Sequence, residues 1–243
     1  MDPLVIEQSV RPGAAGGLVK LVQEWLTLHG VPVPISSTYD VATTAAVSQF
    51  RVQRGLGPGA LVEPPVFDSL VRPMLRALAP IEPQDDFAAA VLAVAEQQLA
   101  ERPLEVGGPN QGPWVRLYMN GREGPTQAWC AGFVSWCLSQ ASIARGEAMP
   151  VKPSVSCDGL GTGARDRGRL LRGANAARVV RPGNLFLVPR RDAEGYLHAG
   201  VVREVRATTF ESVEGNASPS PRTHGDRVLS QQHAYADCDF IVF

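Results

Sequence analysis

The spacing of the apolar residues changes along the chain, and this change constrains the fold more than any other feature. In the first part, Leu18, Leu21, Val22 and Trp25 fall at positions i, i+3, i+4 and i+7, as on the buried face of a helix. The last part contains four runs rich in β-branched and aromatic residues, which are typical of strands: "NLFLV", "AGVVREV", "TTFESVE" and "CDFIVF". Helices followed by strands predict an α+β fold, with an antiparallel sheet packed on a helix.

The same pattern predicts two domains. Residues 1–76 contain three helical segments, which predict a small three-helix bundle near the lower size limit for independent folding. Residues 77–84 overlap the proline-rich stretch "PMLRALAPIEP" (residues 73–83) and are predicted to be a linker. Residues 85–243 then form the second domain, which begins with an alanine-rich helix preceded by Asp85 and Asp86.

Composition excludes several classes of partner. The chain has 243 residues, 44% of them hydrophobic, and a formal net charge of −1. This charge provides no broad basic surface, so we expect no binding to nucleic acid or to a membrane. The start has no positively charged segment, and no run of about eighteen apolar residues occurs. We therefore expect a protein made in the cytoplasm without a signal peptide or a membrane anchor.

Four cysteines are scattered along the chain, at positions 130, 137, 157 and 238. They form no C-x-x-C pair and have no histidine at zinc-ligand spacing, which argues against a metal site. Because a cytoplasmic protein is kept reduced, we expect four free thiols and no disulfide.

The stretch "AWCAGFVSWC" places Cys130 where a helix is predicted to begin. Unpaired backbone N–H groups and the helix dipole favour a thiolate at that position, so Cys130 is a candidate nucleophile. Cys137 lies two turns further along the helix, so the helix start does not stabilise its thiolate. The alternative is that Cys130 is a small buried core residue, as most cysteines on apolar helix faces are.

A nucleophilic cysteine needs a base, and the chain has four histidines, at positions 29, 198, 224 and 233. Only His198 directly precedes a convincing strand. If this strand pairs with the next one around a turn centred near residues 206 and 207, Glu214 falls opposite His198 and can orient its imidazole. Asn216 can supply an amide to the same site or to an oxyanion. The alternatives are that His198 is a surface residue, that Glu214 is solvated, and that "EGN" only forms a turn.

Several of these motifs together resemble a known family. The series "GGPNQGPWVRLYMNG", "AWCAGFVSWC", "RPGNLFLV", "LHAGVV" and "SVEGNAS" is similar to the CHAP family of cysteine, histidine-dependent amidohydrolases and peptidases, papain-like relatives of the NlpC-type hydrolases. The resemblance implies a papain-like domain in which Cys130 is the nucleophile, His198 the base, Glu214 the orienting residue and Asn216 an accessory group. It implies no cofactor and no metal.

The resemblance also suggests which residues contact the substrate. We expect Trp129, Asn110 and Leu197, which lie within these motifs, to be substrate-binding residues. The chain departs from the family pattern at Asn184, where the family usually has aspartate, and at Leu197, where it usually has glycine before the histidine. Neither departure removes a catalytic group, but the leucine narrows the space beside His198.

The N-terminal segment resembles the three-helix peptidoglycan-binding domain of cell-wall hydrolases. The family's T-x-x-A-V-x-x-F-Q core appears here as "TTAAVSQFR", in which Arg51 replaces the usual glutamine. The two resemblances point to the same substrate, peptidoglycan.

Together these features predict a peptidoglycan hydrolase that cleaves an amide bond of the stem peptide, as an N-acetylmuramoyl-L-alanine amidase or an endopeptidase. We expect a monomer that reaches the cell wall or periplasm without a signal peptide, as a phage endolysin released by a holin or as a secreted antibacterial effector. An effector would have an immunity protein or a secretion-machine component as partner. The alternatives are an inactive wall-binding module and a cytosolic amidase acting on a small γ-glutamyl or polyamine conjugate.

Overall fold

The structure, a computed structural model, describes residues 2–219 and 225–243, apart from the side chains of residues 174 and 175. Contacts divide the chain into two compact units. The first comprises Met1–Ala79 and Leu104–Thr126, and the second Pro80–Pro103 and Gln127–Phe243. Among the described residues, no helix combines the length and the apolar character needed to span a bilayer.

The first unit is helical. It contains α1 (Gly17–Leu28), α2 (Val41–Gln53), α3 (Pro64–Ala77) and the short α5 (Pro113–Tyr118). Asp40 starts α2 by accepting a hydrogen bond from the backbone N–H of Thr43 at 2.8 Å, as a good N-cap residue does. The core of the unit is formed by fully buried side chains from the first three helices, among them Trp25, Phe50 and Phe67.

Residues 104–126 pack with the first unit, whereas the sequence placed everything from residue 85 onward in the second domain. The ring of Trp114 meets that of Trp25 edge-on, with 5.8 Å between centroids. Arg116 binds Glu24 through two contacts of 2.5 and 3.0 Å and also binds Glu123 at 2.7 Å. No local pattern in the sequence predicts these long-range contacts between α5 and α1. A truncated chain that begins near residue 80 would keep residues 104–126 but would lose the residues of the first unit that pack against them.

The second unit contains three helices and a sheet. The helices are α4 (Phe87–Glu101), α6 (Cys130–Arg145) and α7 (Cys157–Asp166). The strands are β1 (Leu170–Arg172), β2 (Leu185–Pro189), β3 (Tyr196–Val205), β4 (Thr209–Ala217), β5 (Arg227–Ala234) and β6 (Asp239–Ile241). They form one antiparallel sheet in the order β1-β6-β2-β3-β4-β5. The predicted α+β class is confirmed, and β1 and β5 are additional to the four predicted strands.

Helix α6 packs closely on β3 and β4, as the sequence predicted for the helix that begins at Cys130. Gly215 makes this approach feasible. A Cβ atom at Gly215 would lie 2.5 Å from Cβ of Phe133 and 2.8 Å from the ring of Trp129, so a side chain there would push helix and strand apart. Phe186, Phe210 and Phe240 belong to a second buried cluster in this unit.

The register of the β3–β4 hairpin differs from the predicted one. Val201 pairs with Val213, and continuing this register places Glu214 opposite Gly200 instead of His198. The predicted direct pairing is therefore wrong by two positions. The turn occupies residues 206–208, slightly later than predicted, and a bulge between residues 202 and 204 then brings the pairing one position back towards the predicted one. Because alternate residues share a face, Glu214 still lies on the side of the sheet that carries His198.

The ion pair between α5 and α1 provides a test of the first unit. We expect Arg116→Met to lower the stability of this unit by about 3–5 kcal/mol, because it leaves the fully buried carboxylate of Glu24 without its main partner. Differential scanning calorimetry of the full chain measures the change. Arg72→Met, at an exposed position of α3, is the matched control and should leave the Tm almost unchanged. Equal effects of the two substitutions would contradict the assignment of residues 104–126 to this core.

Candidate active site

Cys130 is the first residue of α6 and is only 4% exposed. The side chain of the preceding residue makes no capping hydrogen bond, so it does not occupy the N–H groups of the first turn. A hydrogen bond from the thiol of Cys157 and one from His198 hold the pKa of the Cys130 thiol well below its usual range, although burial opposes the shift. The surroundings of Cys130, mainly Cys157 and His198, thus favour a thiolate.

His198 lies near the start of β3, where it contacts both Cys130 and Glu214. Its Nε2 atom is 2.7 Å from Oε2 of Glu214, which leaves Nδ1 as the nitrogen for the thiol. Burial lowers the pKa of His198, but the hydrogen bonds to Cys130 and Glu214 outweigh it and raise the pKa to about 10. This interaction stabilises the fold fully below pH about 6.5, and the stabilisation is lost as the pH rises towards 10.

Glu214 is 1% exposed, and both of its oxygens accept hydrogen bonds. Oε2 binds His198, while Oε1 binds Nε2 of His233 at 2.5 Å and the hydroxyl of Ser212. Burial alone would raise the pKa of this carboxyl, but the two histidines lower it to about 2. Gly200 leaves room for the carboxylate, because a Cβ atom there would lie 2.8 Å from Cγ of Glu214.

Leu197 and Asn216 lie beside this group. Together with His198, Glu214 and His233 they line a cavity of about 510 Å³. Leu197 is the extra residue of a bulge in the β2–β3 pairing and is 53% exposed. The backbone of Asn216 is left-handed (φ 53°), and its buried Oδ1 accepts no hydrogen bond from the residues that the structure describes. Both side chains are therefore placed where a bound molecule can meet them.

The other two predicted substrate-binding residues occupy different environments. Trp129 is 0% exposed and packs next to Gly215, so its ring has no surface to offer a substrate. Asn110 belongs to the first unit, where its side-chain amide donates to the carbonyl of Pro125 at 3.1 Å. That contact joins the segment before α5 to the segment after it.

Three residues at the site were missed by the sequence analysis. His233 and Ser212 bind the carboxylate of Glu214, and Cys157 places its sulfur 3.5 Å from the sulfur of Cys130. Ser212 could have been found, because it is two residues from Glu214 and shares its face of β4. His233 and Cys157 come from an unpredicted strand and an unpredicted helix. His224, the fourth histidine, lies outside the described residues.

The arrangement is a hydrogen-bonded series of thiol, imidazole and carboxylate. Since the pKa of the thiol is lowered and that of the imidazole is raised, the surroundings favour the thiolate–imidazolium form of the pair over the neutral form. A thiolate at a helix start can attack an electrophilic carbonyl carbon, and the imidazolium can protonate a leaving group. Within residues 2–219 and 225–243, no cluster of three or more His, Cys, Asp or Glu side chains is arranged to hold a metal ion.

The chain was compared with known proteins. No protein-family model matches it, and no curated protein does. It is similar to a crystal structure from Staphylococcus aureus subsp. aureus Mu50, described as "similar to lipoprotein, NLP/P60 family", with 13% sequence identity and a TM-score of 0.29. The similarity covers 86% of this chain and 63% of the other, so the chain spans less than two thirds of that protein's length. A TM-score this low assigns neither a fold nor a function.

The thiolate–imidazolium pair can be tested by NMR. We expect the imidazole of His198 to titrate near pH 10, and Cys130→Ala to lower its pKa by at least about one unit, because the thiolate is the strongest partner that raises it. Nitrogen-15 shifts of the imidazole ring measure the midpoint. His29, whose pKa is lowered by burial in the first unit, is the internal control and should not change. A wild-type midpoint near 6.5 would show that His198 is neutral beside a neutral thiol.

Proposed function

We propose that this protein is a cysteine-dependent hydrolase that cleaves an amide bond in the stem peptide of peptidoglycan. The observation that carries the proposal is the buried series of Cys130, His198 and Glu214, in which the thiol is at a helix start and the imidazole is held by a carboxylate. The resemblance of these motifs to the CHAP family, and of the N-terminal segment to peptidoglycan-binding domains, supports the choice of substrate.

In the first half of the proposed reaction, the Cys130 thiolate attacks the carbonyl carbon of the amide. The backbone N–H of Cys130 donates a hydrogen bond to the developing oxyanion, which the helix dipole also stabilises. His198 transfers its Nδ1 proton to the amide nitrogen, the C–N bond breaks and the amine leaves. Cys130 is then bound to the acyl group as a thioester.

In the second half, water hydrolyses the thioester. Neutral His198 takes a proton from the water, the resulting hydroxide attacks the acyl carbon, and the C–S bond breaks. The products are a carboxyl group and the regenerated thiolate–imidazolium pair. Throughout, Glu214 holds Nε2 of His198 and stabilises the imidazolium without transferring a proton.

The proposal assigns the substrate to the cavity beside His198. Leu197 contacts the peptide at its exposed side, and the unoccupied Oδ1 of Asn216 accepts a hydrogen bond from a substrate N–H group. The N-terminal unit binds the glycan or its peptides and brings the enzyme to the wall. The enzyme acts as a phage endolysin or as a secreted effector with an immunity protein, and it works as a monomer without a cofactor.

The first test concerns the nucleophile. Cys130→Ala should abolish release of soluble fragments from purified sacculi while the circular dichroism spectrum stays that of the wild type, because it removes the sulfur that attacks the carbonyl carbon. Cys137→Ala, in the same helix but fully buried, is the matched control and should retain activity. Mass spectrometry of the released fragments separates an amidase from an endopeptidase. Near wild-type release by the Cys130 variant would overturn the mechanism.

The second test concerns Glu214. We expect turnover to decrease in the order wild type, Glu214→Gln, Glu214→Ala, with the alanine variant slower by about two to three orders of magnitude. Glutamine keeps an acceptor for His198 but loses the charge. The double variant with His198→Ala should be little slower than His198→Ala alone, because residues that act as one unit are not additive. Fully multiplicative losses would mean that Glu214 acts on another group.

A further inference from the structure

A second thiol lies against the proposed nucleophile. The sulfur of Cys157 is 3.5 Å from the sulfur of Cys130, and Cys157 is 8% exposed. Cys157 is the first residue of α7, just as Cys130 is the first residue of α6. Two helix starts therefore meet at a pair of sulfur atoms, and the four cysteines of the chain are all unpaired.

The position of Cys157 is fixed from two sides. On the side of α6, the hydroxyl of Ser135 donates to the carbonyl of Ser154 at 2.6 Å and accepts from the N–H of Ser154 at 2.9 Å. On the side of β3, the carboxylate of Asp158 accepts a hydrogen bond from the N–H of Tyr196 at 2.6 Å. The residues that flank Cys157 are thus tied to the helix that begins at Cys130 and to the strand that carries His198.

Two glycines make the second of these anchors feasible. Gly195 has a left-handed backbone (φ 99°), and a Cβ atom there would lie 2.4 Å from Oδ1 of Asp158. A Cβ atom at Gly161 would lie 2.3 Å from the ring of Tyr196. Side chains at either position would push α7 away from β3 and would move the sulfur of Cys157. The backbone is thus shaped to bring the two sulfurs together.

We propose that Cys157 is a further catalytic residue, whose S–H group donates a hydrogen bond to the sulfur of Cys130 and keeps that sulfur ionised. The inference rests on the proposed role of Cys130 as the nucleophile. It assigns to Cys157 a function in forming the thiolate and in stabilising it again when the thioester breaks.

The surroundings decide which sulfur carries the proton. Cys130 has His198 beside it and can transfer its proton to the imidazole. Cys157 has Asp158 as its acidic neighbour, with Arg190 as the opposing charge, and a second thiolate next to the first would be strongly disfavoured. The hydrogen bond to Cys130, burial and Asp158 all raise the pKa of Cys157. Cys157 therefore stays protonated and remains a donor.

The donor has its largest effect on the breakdown of the thioester. A thiolate leaves faster when its pKa is lower, and the S–H bond from Cys157 stabilises the departing sulfur as negative charge returns to it. The same bond increases the fraction of Cys130 that is ionised before attack. Replacing Cys157 should thus affect the low-pH side of the activity profile most.

The experiment measures the ionisation of Cys130 directly, in the full-length protein. Iodoacetamide is added over a range of pH values, and the alkylation rate at Cys130 alone is followed by peptide mass spectrometry. We expect Cys157→Ala to raise the midpoint of the profile by about one to two pH units, the size of a hydrogen bond to a charged group. Cys157→Ser retains a donor and should lie closer to wild type than to the alanine variant.

Cys137→Ala is the matched control, because it removes a buried thiol from α6 that does not touch Cys130; its midpoint should equal that of the wild type. If Cys157→Ala is not folded by circular dichroism, Cys157→Val replaces it in the comparison with Cys157→Ser, since valine fills the space without a donor. An alanine or valine midpoint equal to that of the wild type overturns the inference, as does a serine midpoint equal to that of alanine or valine.

The readout separates this inference from the proposed function. Alkylation requires no wall substrate. A midpoint that depends on Cys157 in a protein that releases nothing from sacculi supports the hydrogen bond and overturns the peptidoglycan hydrolase. Release of wall fragments by a protein whose midpoint does not depend on Cys157 supports the peptidoglycan hydrolase and overturns the inference about Cys157.

Discussion

The geometry of the candidate site depends on one buried charge, the carboxylate of Glu214. A carboxylate removed from water is stable only when charged or polar donors satisfy its oxygens. Here the donors are His198 on β3, Ser212 on β4 and His233 on β5. Because these residues belong to three neighbouring strands, the charge can be buried only after the sheet has formed. The orientation of His198 is thus a property of the folded sheet and not of a flexible loop.

The contact between His198 and Glu214 could be predicted from the sequence although the register used to predict it was wrong. A hairpin shifted by two residues keeps every side chain on the same face of the sheet, whereas a shift by one would have moved Glu214 to the opposite face. The true register places Gly200 opposite Glu214. The missing side chain at Gly200 lets the carboxylate extend along the face to His198. The alternation of apolar residues determines which face of the sheet carries Glu214. A bulge and Gly200 determine where on that face the carboxylate meets His198.

The residues that could not be predicted depend on contacts between distant parts of the chain. The strand β5, "RVLSQQHA", has Val228 as its one buried residue, and its other residues are exposed or half-buried, so it lacks the usual alternation of apolar and polar residues. Helix α7, "CDGLGTGARD", contains three glycines and is a poor helix former by propensity. It forms because Gly161 allows close packing against Tyr196, which no local pattern reveals. The place of Cys157 beside Cys130 could therefore not be predicted from the sequence.

The two helix starts at the site have no side-chain cap. Helices α2 and α4 are capped by the side chains of Asp40 and Asp86, whereas the starts of the other five helices that the structure describes, α6 and α7 among them, have no side-chain cap. A thiolate at Cys130 places a negative charge in a buried position. At the start of α6, the backbone N–H of Ala131 helps to lower the pKa of the Cys130 thiol, and the helix dipole acts in the same direction. An aspartate cap at either start would take up the N–H groups of the first turn and repel the thiolate, so the absence of caps is part of what allows Cys130 to ionise.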